Sequence, residues 1–159
     1  MRIIVFSDTH GNVAAAKQVF EINKNTCDHF IFLGDGLKEL ALMKELYPDK
    51  KVYCVSGNCD APTCYSSDVI EIFKTKIFMT HGHYLNVKES HDTLIQRAKE
   101  ENAVMALYGH THCRYYKYEH GLHILNPGSA SQPKDGLPQS YAFIDLTPYN
   151  ISCALVDLE

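Results

Sequence analysis

Apolar residues along the chain fall into short runs, and several runs end in the same kinds of polar residue. The first run, residues 3–6, is a continuous Ile-Ile-Val-Phe segment that leads into Asp8 and His10. Similar runs at residues 29–33, 51–55, 76–79 and 103–108 each lead, within three residues, into Asp, Asn or His. Continuous apolar runs are typical of strands covered on both faces. The pattern therefore predicts buried strands with polar loops at their carboxyl ends.

Helical spacing of apolar residues separates these strands. After Asn12, a residue type suited to capping a helix, apolar residues recur at intervals of three and four. Similar spacing predicts helices at residues 37–47 and 90–102, and His91 in the latter is expected on the solvated surface. From residue 114 onward the sequence pattern predicts four strands. We expect these strands to form one C-terminal sheet, whose exposed apolar edge would suit a dimer.

Composition indicates one globular domain over residues 1–159. The chain is 45% hydrophobic and 21% charged, and about 100–200 residues is usual for one domain. A net charge of −4 gives no sign of the basic clusters that bind nucleic acid or membranes. There is no basic-then-apolar signal segment, and no apolar run approaches the roughly 18 residues of a bilayer span. We expect a cytoplasmic protein with its six cysteines reduced, bound stably to neither a membrane nor nucleic acid.

Seven polar side chains follow the predicted strands and have the chemistry of metal ligands. They are Asp8, His10, Asp35, Asn58, His81, His110 and His112. Each alone has an ordinary explanation, because Asp and Asn cap helices or form turns and single loop histidines are common. Together, seven oxygen and nitrogen donors exceed the four ligands of one tetrahedral zinc ion, so the set suits two divalent ions that share a carboxylate. Such donors suit Mn, Fe, Zn, Ni or Co.

The order of these motifs resembles that of the calcineurin-like metallophosphoesterase superfamily, and especially its short bacterial and archaeal phosphodiesterase branch. The motifs that carry the resemblance are Asp8-x-His10, Gly34-Asp35, Gly57-Asn58, His81-Gly82-His83 and Gly109-His110-x-His112. They span almost the whole chain. The resemblance implies an α/β fold of four layers, in which two mixed β-sheets pack together and helices lie outside. It also suggests that the turn at residues 126–129 lies near the site.

The same resemblance implies how the ligands are shared between two divalent metal ions. Asp8, His10, Asp35 and His112 would hold one ion, and Asp35, Asn58, His81 and His110 would hold the other. Asp35 is then the bridge. Two ions about 3.5–4 Å apart lower the pKa of a bridging water, so that hydroxide attacks phosphorus in line. Mn is the expected metal, with Ni, Zn, Fe or Co as alternatives, and the ions supply the positive charge that binds phosphate.

One position departs from the pattern of many superfamily members. They have a His after the motif Asn, where it contacts phosphate and can protonate the leaving group, whereas this chain has Cys59 followed by Asp60. The short branch commonly shows Gly-Asn-Cys-Asp, so the substitution is compatible with activity. A thiol replaces that histidine poorly, which leaves the catalytic acid open among Cys59, Asp60 and His83. We favour His83, with a supporting or merely solvated histidine as the alternative.

Three functions follow from the resemblance, and the complete ligand set favours one of them. A metal-dependent phosphodiesterase acting on a small phosphodiester is the first. A phosphomonoesterase or phosphoprotein phosphatase is the enzymatic alternative, and the missing motif histidine counts against it. The third is a non-catalytic scaffold like the retromer subunit that shares the fold, although such relatives tend to lose ligating histidines. A homo-oligomer, dimer or tetramer, is possible, and the physiological substrate stays open.

Overall fold

The structure is a computed structural model that describes residues 1–158. The strands in this part of the chain are β1 (Arg2–Phe6), β2 (His29–Phe32), β3 (Lys51–Cys54), β4 (Ser67–Ile72), β5 (Thr75–Thr80), β6 (Met105–Tyr108), β7 (Arg114–Glu119), β8 (Leu122–Pro127), β9 (Ser140–Leu146) and β10 (Ile151–Asp157). The helices are α1 (Val13–Asn23), α2 (Leu37–Leu46) and α3 (Asp92–Glu100). The Asn12 side chain caps α1 as predicted, because its oxygen accepts a hydrogen bond of 3.0 Å from the Ala15 N–H.

Two mixed sheets of five strands carry the fold. The first has the order β10-β9-β1-β2-β3, and the second has the order β4-β5-β6-β8-β7. Within the first sheet, β1, β2 and β3 run parallel, while β9 pairs antiparallel with both β1 and β10. Within the second, β5, β6 and β8 run parallel and the two outer strands are antiparallel. The three parallel strands of each sheet therefore end at the same edge of that sheet.

Three apolar clusters give the molecule four layers. One cluster lies between the two sheets and includes Val5, Ile31, Met79 and Leu107. A second joins α1 and α2 to the outer face of the first sheet, and a third joins α3 to the outer face of the second sheet. This confirms the expected sandwich of two sheets with helices outside, since each sheet buries both faces. No helix in the described residues has the length and apolar character needed to cross a membrane.

The predicted C-terminal sheet is wrong. The last four strands divide, because β7 and β8 join the second sheet while β9 and β10 complete the first. Pairing of β9 with β1 buries Ala142 and Ile144 between the two sheets, and this long-range pairing follows from packing rather than from sequence order. The dimer edge inferred for that sheet therefore does not exist as described, and a homo-oligomer stays a prediction.

The predicted surface position of His91 is also wrong. His91 lies just before α3, and its Nε2 is 2.7 Å from the Tyr108 hydroxyl. Its ring packs edge-on against Tyr115 with the centroids 4.5 Å apart. Because α3 begins at Asp92, two residues later than the sequence pattern indicates, His91 lies at the N-cap position and its half-buried imidazole packs against the second sheet.

Candidate metal centre

Parallel pairing brings the ligand-bearing loops together. Phe6 pairs with Phe32, and Phe32 pairs with Cys54, so β1, β2 and β3 end side by side. Thr80 and Tyr108 pair in the same way at the ends of β5 and β6. All seven predicted ligands lie in the loops that leave these strand ends. This is the edge at which sheets with parallel strands place ligands.

Two glycines allow these loops to touch. A Cβ atom on Gly34 would lie 2.6 Å from the backbone nitrogen of Gly57 and 2.8 Å from His81 Nδ1. A Cβ atom on Gly57 would lie 2.0 Å from Asp35 Oδ1. Side chains at these positions would push apart the loops after β2 and β3. Glycine is therefore required at both positions, because the two loops approach each other closely.

The ligand loops have an unusual backbone. Five of the seven predicted ligands have positive φ angles, namely Asp8 (57°), His10 (42°), Asp35 (59°), His110 (66°) and His112 (57°). A left-handed conformation costs a non-glycine residue roughly 1–2 kcal/mol. Backbone hydrogen bonds hold the loops in place, including Asp8 N–H to Gly34 O at 3.0 Å and His10 N–H to Asp35 O at 3.0 Å. Such conformations are concentrated at functional sites.

One group of donors surrounds Asp8. Its Oδ1 is buried, has no hydrogen-bond partner, and lies 3.3 Å from His112 Nε2 and 3.7 Å from His10 Nε2. The two Nε2 atoms are 3.0 Å apart. His112 Nδ1 donates to the Gln132 carbonyl at 2.7 Å, so a neutral His112 ring presents a lone pair at Nε2. A carboxylate oxygen and imidazole lone pairs therefore converge on one point.

A second group forms around Asp35. Asp35 Oδ2 is 3.4 Å from His81 Nε2 and also 3.6 Å from His10 Nε2, so this carboxylate lies between the two groups. His81 Nδ1 donates to the Leu33 carbonyl at 2.6 Å, which leaves Nε2 to face Asp35 and the Asn58 oxygen, the latter 3.1 Å away. Asp8, Asp35 and His81 also have donor atoms within 4.8 Å of one another.

His110 stands at the margin of the second group. Its ring centroid is 5.1 Å from that of His81, and its backbone N–H donates to Asp8 Oδ2 at 3.2 Å. Burial and then the charge of His81 lower the pKa of His110 to about 4. The ring is therefore neutral near pH 7 and has a lone pair available for a metal ion.

The electrostatics of the cluster favour cations. Burial alone would raise the pKa of Asp8, but contacts with His10 and His112 lower it far below its usual range. Burial opposes a charged His81, yet Asp35 and Asp8 outweigh burial and raise its pKa. Two buried carboxylates thus hold their negative charge and attract positive charge. The orphaned Asp8 oxygen and the converging lone pairs fit divalent metal ions.

Asp60 bonds to the backbone rather than to the centre of the cluster. Its Oδ2 accepts hydrogen bonds from the N–H groups of Asp35 (2.7 Å) and Gly57 (2.8 Å). Its Oδ1 accepts from Gly36 and Leu37, each at 2.9 Å, and so caps the N-terminus of α2. Four backbone bonds occupy this carboxylate.

Cys59 and His83 flank the cluster. Cys59 is exposed, and its thiol sulfur lies within 4.8 Å of donor atoms of His10 and Asp35. Its backbone N–H donates to Asp35 Oδ1 at 2.8 Å. Burial, followed by the charge of Asp35, raises the pKa of the thiol. His83 Nδ1 is buried without a hydrogen-bond partner, and the ring centroid is 5.3 Å from that of His81.

Several supporting residues lie outside the predicted set of ligands. Ser129 and Ser131 both donate their hydroxyl protons to the Asp8 carbonyl, at 2.7 and 2.9 Å. The Asn126 amide donates to the Gly109 carbonyl at 3.0 Å. The turn at residues 126–129 therefore does lie beside the site, where it orients the loops of Asp8 and His110. Only its turn composition and the motif resemblance pointed to it.

The architecture and the cluster together define a class of enzyme. Two mixed sheets packed face to face, with carboxylates and imidazoles where their strands end, form the fold and candidate site of a metallophosphoesterase. The model of the calcineurin-like phosphoesterase superfamily domain matches residues 1–148. The chain belongs to this superfamily of hydrolytic enzymes, as its motif order predicted.

Known relatives support the phosphodiesterase branch. The chain is 30% identical to phosphodiesterase YfcE of Escherichia coli K12 over 168 aligned positions, which cover 91% of this chain and 88% of the relative. The solved structure of Yfce superposes with a TM-score of 0.78 at 28% identity, covering 99% of this chain and 93% of that one. A predicted phosphoesterase of Streptococcus pneumoniae TIGR4 gives a TM-score of 0.79 at 33% identity, covering 92% and 83%.

The same fold occurs in proteins named Vps29. Wild-type Vps29 of Entamoeba histolytica, solved in complex with Zn²⁺, has a TM-score of 0.73 and covers 100% of both chains. Its sequence identity is 20%, so this similarity shows the fold alone.

Proposed function

We propose that this chain is a phosphodiesterase that holds two divalent metal ions and hydrolyses small phosphodiesters, with Mn as the first candidate metal. The observation that carries the proposal is Asp8 Oδ1, a buried carboxylate oxygen without a hydrogen bond and faced by His10 and His112. An unpaired buried charge is costly unless a cation compensates it. Similarity to phosphodiesterase YfcE supports the choice of diesters.

The ligand assignment in this proposal follows the two groups of donors. Asp8, His10, Asp35 and His112 would hold one ion, and Asp35, Asn58, His81 and His110 would hold the other. Divalent ions bound there would lower the pKa of a water for attack on phosphorus and would offset charge on the phosphoryl oxygens. The position of Asp35 between the two groups supports its role as the shared ligand.

The residues around the ligands have their own roles in the proposed reaction. Carbonyls of Leu33 and Gln132 hold the His81 and His112 rings by Nδ1, so that each Nε2 faces the cluster. His83 is our proposed proton donor to the leaving oxygen, because it lines the cavity beside the cluster and its ring centroid lies 5.3 Å from that of His81. Asp60 is proposed as a positioning residue that orders the Asp35 loop.

The test compares an aryl phosphodiester with the matching monoester. Metal-stripped protein is assayed on both before and after Mn²⁺ is added, and bound metal is counted in the same samples. We expect turnover of the diester only with metal, at about two ions per chain. His120→Asn alters an exposed histidine in the turn after β7, away from the predicted ligands, and is the control variant. It should keep the metal content and the turnover of the parent.

Each alternative gives a different result in this experiment. Preferential turnover of the monoester would replace the proposal with a phosphomonoesterase, including one that acts on phosphoproteins. Full metal occupancy with neither substrate cleaved would favour a scaffold, the alternative that the fold similarity to Vps29 supports.

A further inference from the structure

A cavity of about 790 Å³ opens beside the proposed metal centre. It lies between the loop after β3 and the short 3-10 turn His83–Leu85 that follows β5. Its wall includes Ser56, Asn58, Tyr65, Ser66, His83 and Tyr84. Volumes of about 300–1,000 Å³ are typical of small-molecule sites. Because Asn58 and His83 line the wall, a group bound here would lie next to the reacting phosphate.

Two tyrosines in this wall lack packing partners over most of their surface. Tyr65 is 82% exposed and Tyr84 is 77% exposed, whereas Tyr108 and Tyr141 are buried in the core. The Tyr84 ring is held next to His83, with their centroids 4.0 Å apart. The backbone at Tyr65 is held by its carbonyl, which accepts a hydrogen bond of 2.9 Å from the Ser56 N–H. Flat aromatic surfaces that face a cavity are suited to stacking on a flat ligand group.

The charge of the cavity favours a neutral group. Among the described residues its lining has no Lys or Arg, and its carboxylate, Asp60, is occupied by four backbone N–H groups. Ser56, Thr63 and Ser66 add hydroxyl groups to the wall. An uncharged ring with polar edges would therefore find both stacking surfaces and hydrogen-bond partners here.

A second cavity, of about 590 Å³, is also lined by the Asp60 loop. Asp60 and Thr63 line both cavities, but the second also includes His10, Asp35 and Lys38. A phosphodiester has two substituents, whereas a monoester has one. Two cavities of different chemistry that both include predicted metal ligands match a diester with two different substituents.

We propose that Tyr65 and Tyr84 form a subsite that selects phosphodiesters with one planar aromatic substituent, a nucleobase or a simple aryl group. This proposal rests on the phosphodiesterase function proposed above and narrows its substrate class. The aromatic substituent occupies the larger cavity and stacks on one or both rings. The other substituent points toward Lys38.

Calorimetric titration of the Mn²⁺-loaded full chain tests the subsite apart from turnover. Ribose 5-phosphate, adenosine 5′-monophosphate and phenyl phosphate are all phosphate monoesters. The first has no aromatic ring, the second has a nucleobase, and the third has an aryl ring. We expect adenosine monophosphate, phenyl phosphate or both to bind about tenfold more tightly than ribose 5-phosphate. Whichever of the two aromatic ligands binds more tightly than ribose 5-phosphate identifies the kind of ring that the subsite prefers.

The variants separate stacking from other effects. In Tyr65→Ala, Tyr84→Ala and the double variant, the ratio of the affinity for the aromatic ligand to the affinity for ribose 5-phosphate should fall toward one. The affinity for ribose 5-phosphate itself should stay the same. Tyr84→Phe retains the ring and should retain the preference. Tyr149→Ala removes a 97% exposed tyrosine in the turn before β10 and is the control. Tyr65 and Tyr84 are exposed, so removing their rings leaves the core intact.

Turnover of bis(p-nitrophenyl) phosphate by the same samples distinguishes the two proposals. Equal binding of all three ligands with metal-dependent turnover would overturn the aromatic subsite and leave the phosphodiesterase intact. A preference for aromatic ligands that survives in the double alanine variant would also overturn it. Absence of both phosphate binding and turnover would overturn the phosphodiesterase, and the subsite with it.

Discussion

The Asp60 carboxylate lies 2.7 Å from the backbone nitrogen of Asp35 and accepts its hydrogen bond. Asp35 in turn lies between His10 and His81. Asp60 thus orders the loop that carries Asp35, the residue we propose as the shared ligand of two metal ions. Replacing Asp60 should therefore affect the cluster without removing a ligand.

Asp60→Asn should destabilise the protein and weaken metal binding. The amide keeps one acceptor oxygen and turns an NH₂ group toward two backbone donors, so we expect a loss of about 2–3 kcal/mol in unfolding free energy. Chemical denaturation and a metal count measure both effects. Asp68→Asn, at an exposed aspartate in β4, is the control. Full metal content with turnover lost would instead make Asp60 a catalytic residue.

Asp35→Ala should empty both proposed metal positions. The substitution removes the carboxylate that faces His10 and His81, together with its negative charge. Metal analysis after dialysis should give far fewer than two ions per chain, and diester turnover should fall to background. Retention of two ions per chain would contradict the bridging role.

Cys59→Ala should have a much smaller effect than Asp35→Ala. The bond from residue 59 to Asp35 comes from the backbone N–H, which alanine keeps. Since the pKa of the thiol is raised, little thiolate is present near pH 7 to bind metal or act as a base. We expect unchanged metal content and diester turnover within a few-fold of the parent. Turnover reduced as far as in a ligand variant, with metals retained, would make Cys59 catalytic.

His83→Gln should slow substrates with poor leaving groups most. A proton donor typically contributes about 10²–10⁴-fold, and p-nitrophenolate needs little protonation to leave. Turnover numbers for an alkyl diester and a p-nitrophenyl diester, measured at full metal loading, give the comparison. Equal losses on both would argue for a structural role of His83 beside His81.

His91→Gln should reduce the acid sensitivity of the metal-free protein. Burial lowers the pKa of His91 below its ordinary value of 6.5. The unfolded chain then binds the proton more readily, so this histidine destabilises the folded state as pH falls through about 6.5 and toward the lower folded pKa. Melting temperatures at pH 7.5 and 5.5 should differ less in the variant than in the parent. An equal difference would contradict this contribution.

Local pattern was sufficient for the features that depend on neighbours in the chain. Apolar runs marked the central strands, Asn12 marked the start of α1, and Gly beside Asp, Asn or His marked the loops that carry the candidate ligands. These features follow from strand burial, capping and turn chemistry, which act over a few residues. The order of the motifs further indicated the superfamily and its sandwich of two sheets.

Contacts between distant residues decided the rest. The pairing of β9 with β1 divides the C-terminal strands between the two sheets, and the hydroxyls of Ser129 and Ser131 reach the Asp8 carbonyl across more than 120 positions of sequence. The sequence by itself determined which side chains are available at the strand ends. Only the tertiary structure decided that Asp60 bonds to four backbone N–H groups and that Tyr65 and Tyr84 share a cavity. Such relationships depend on how separate loops pack, and no periodicity within one loop encodes them.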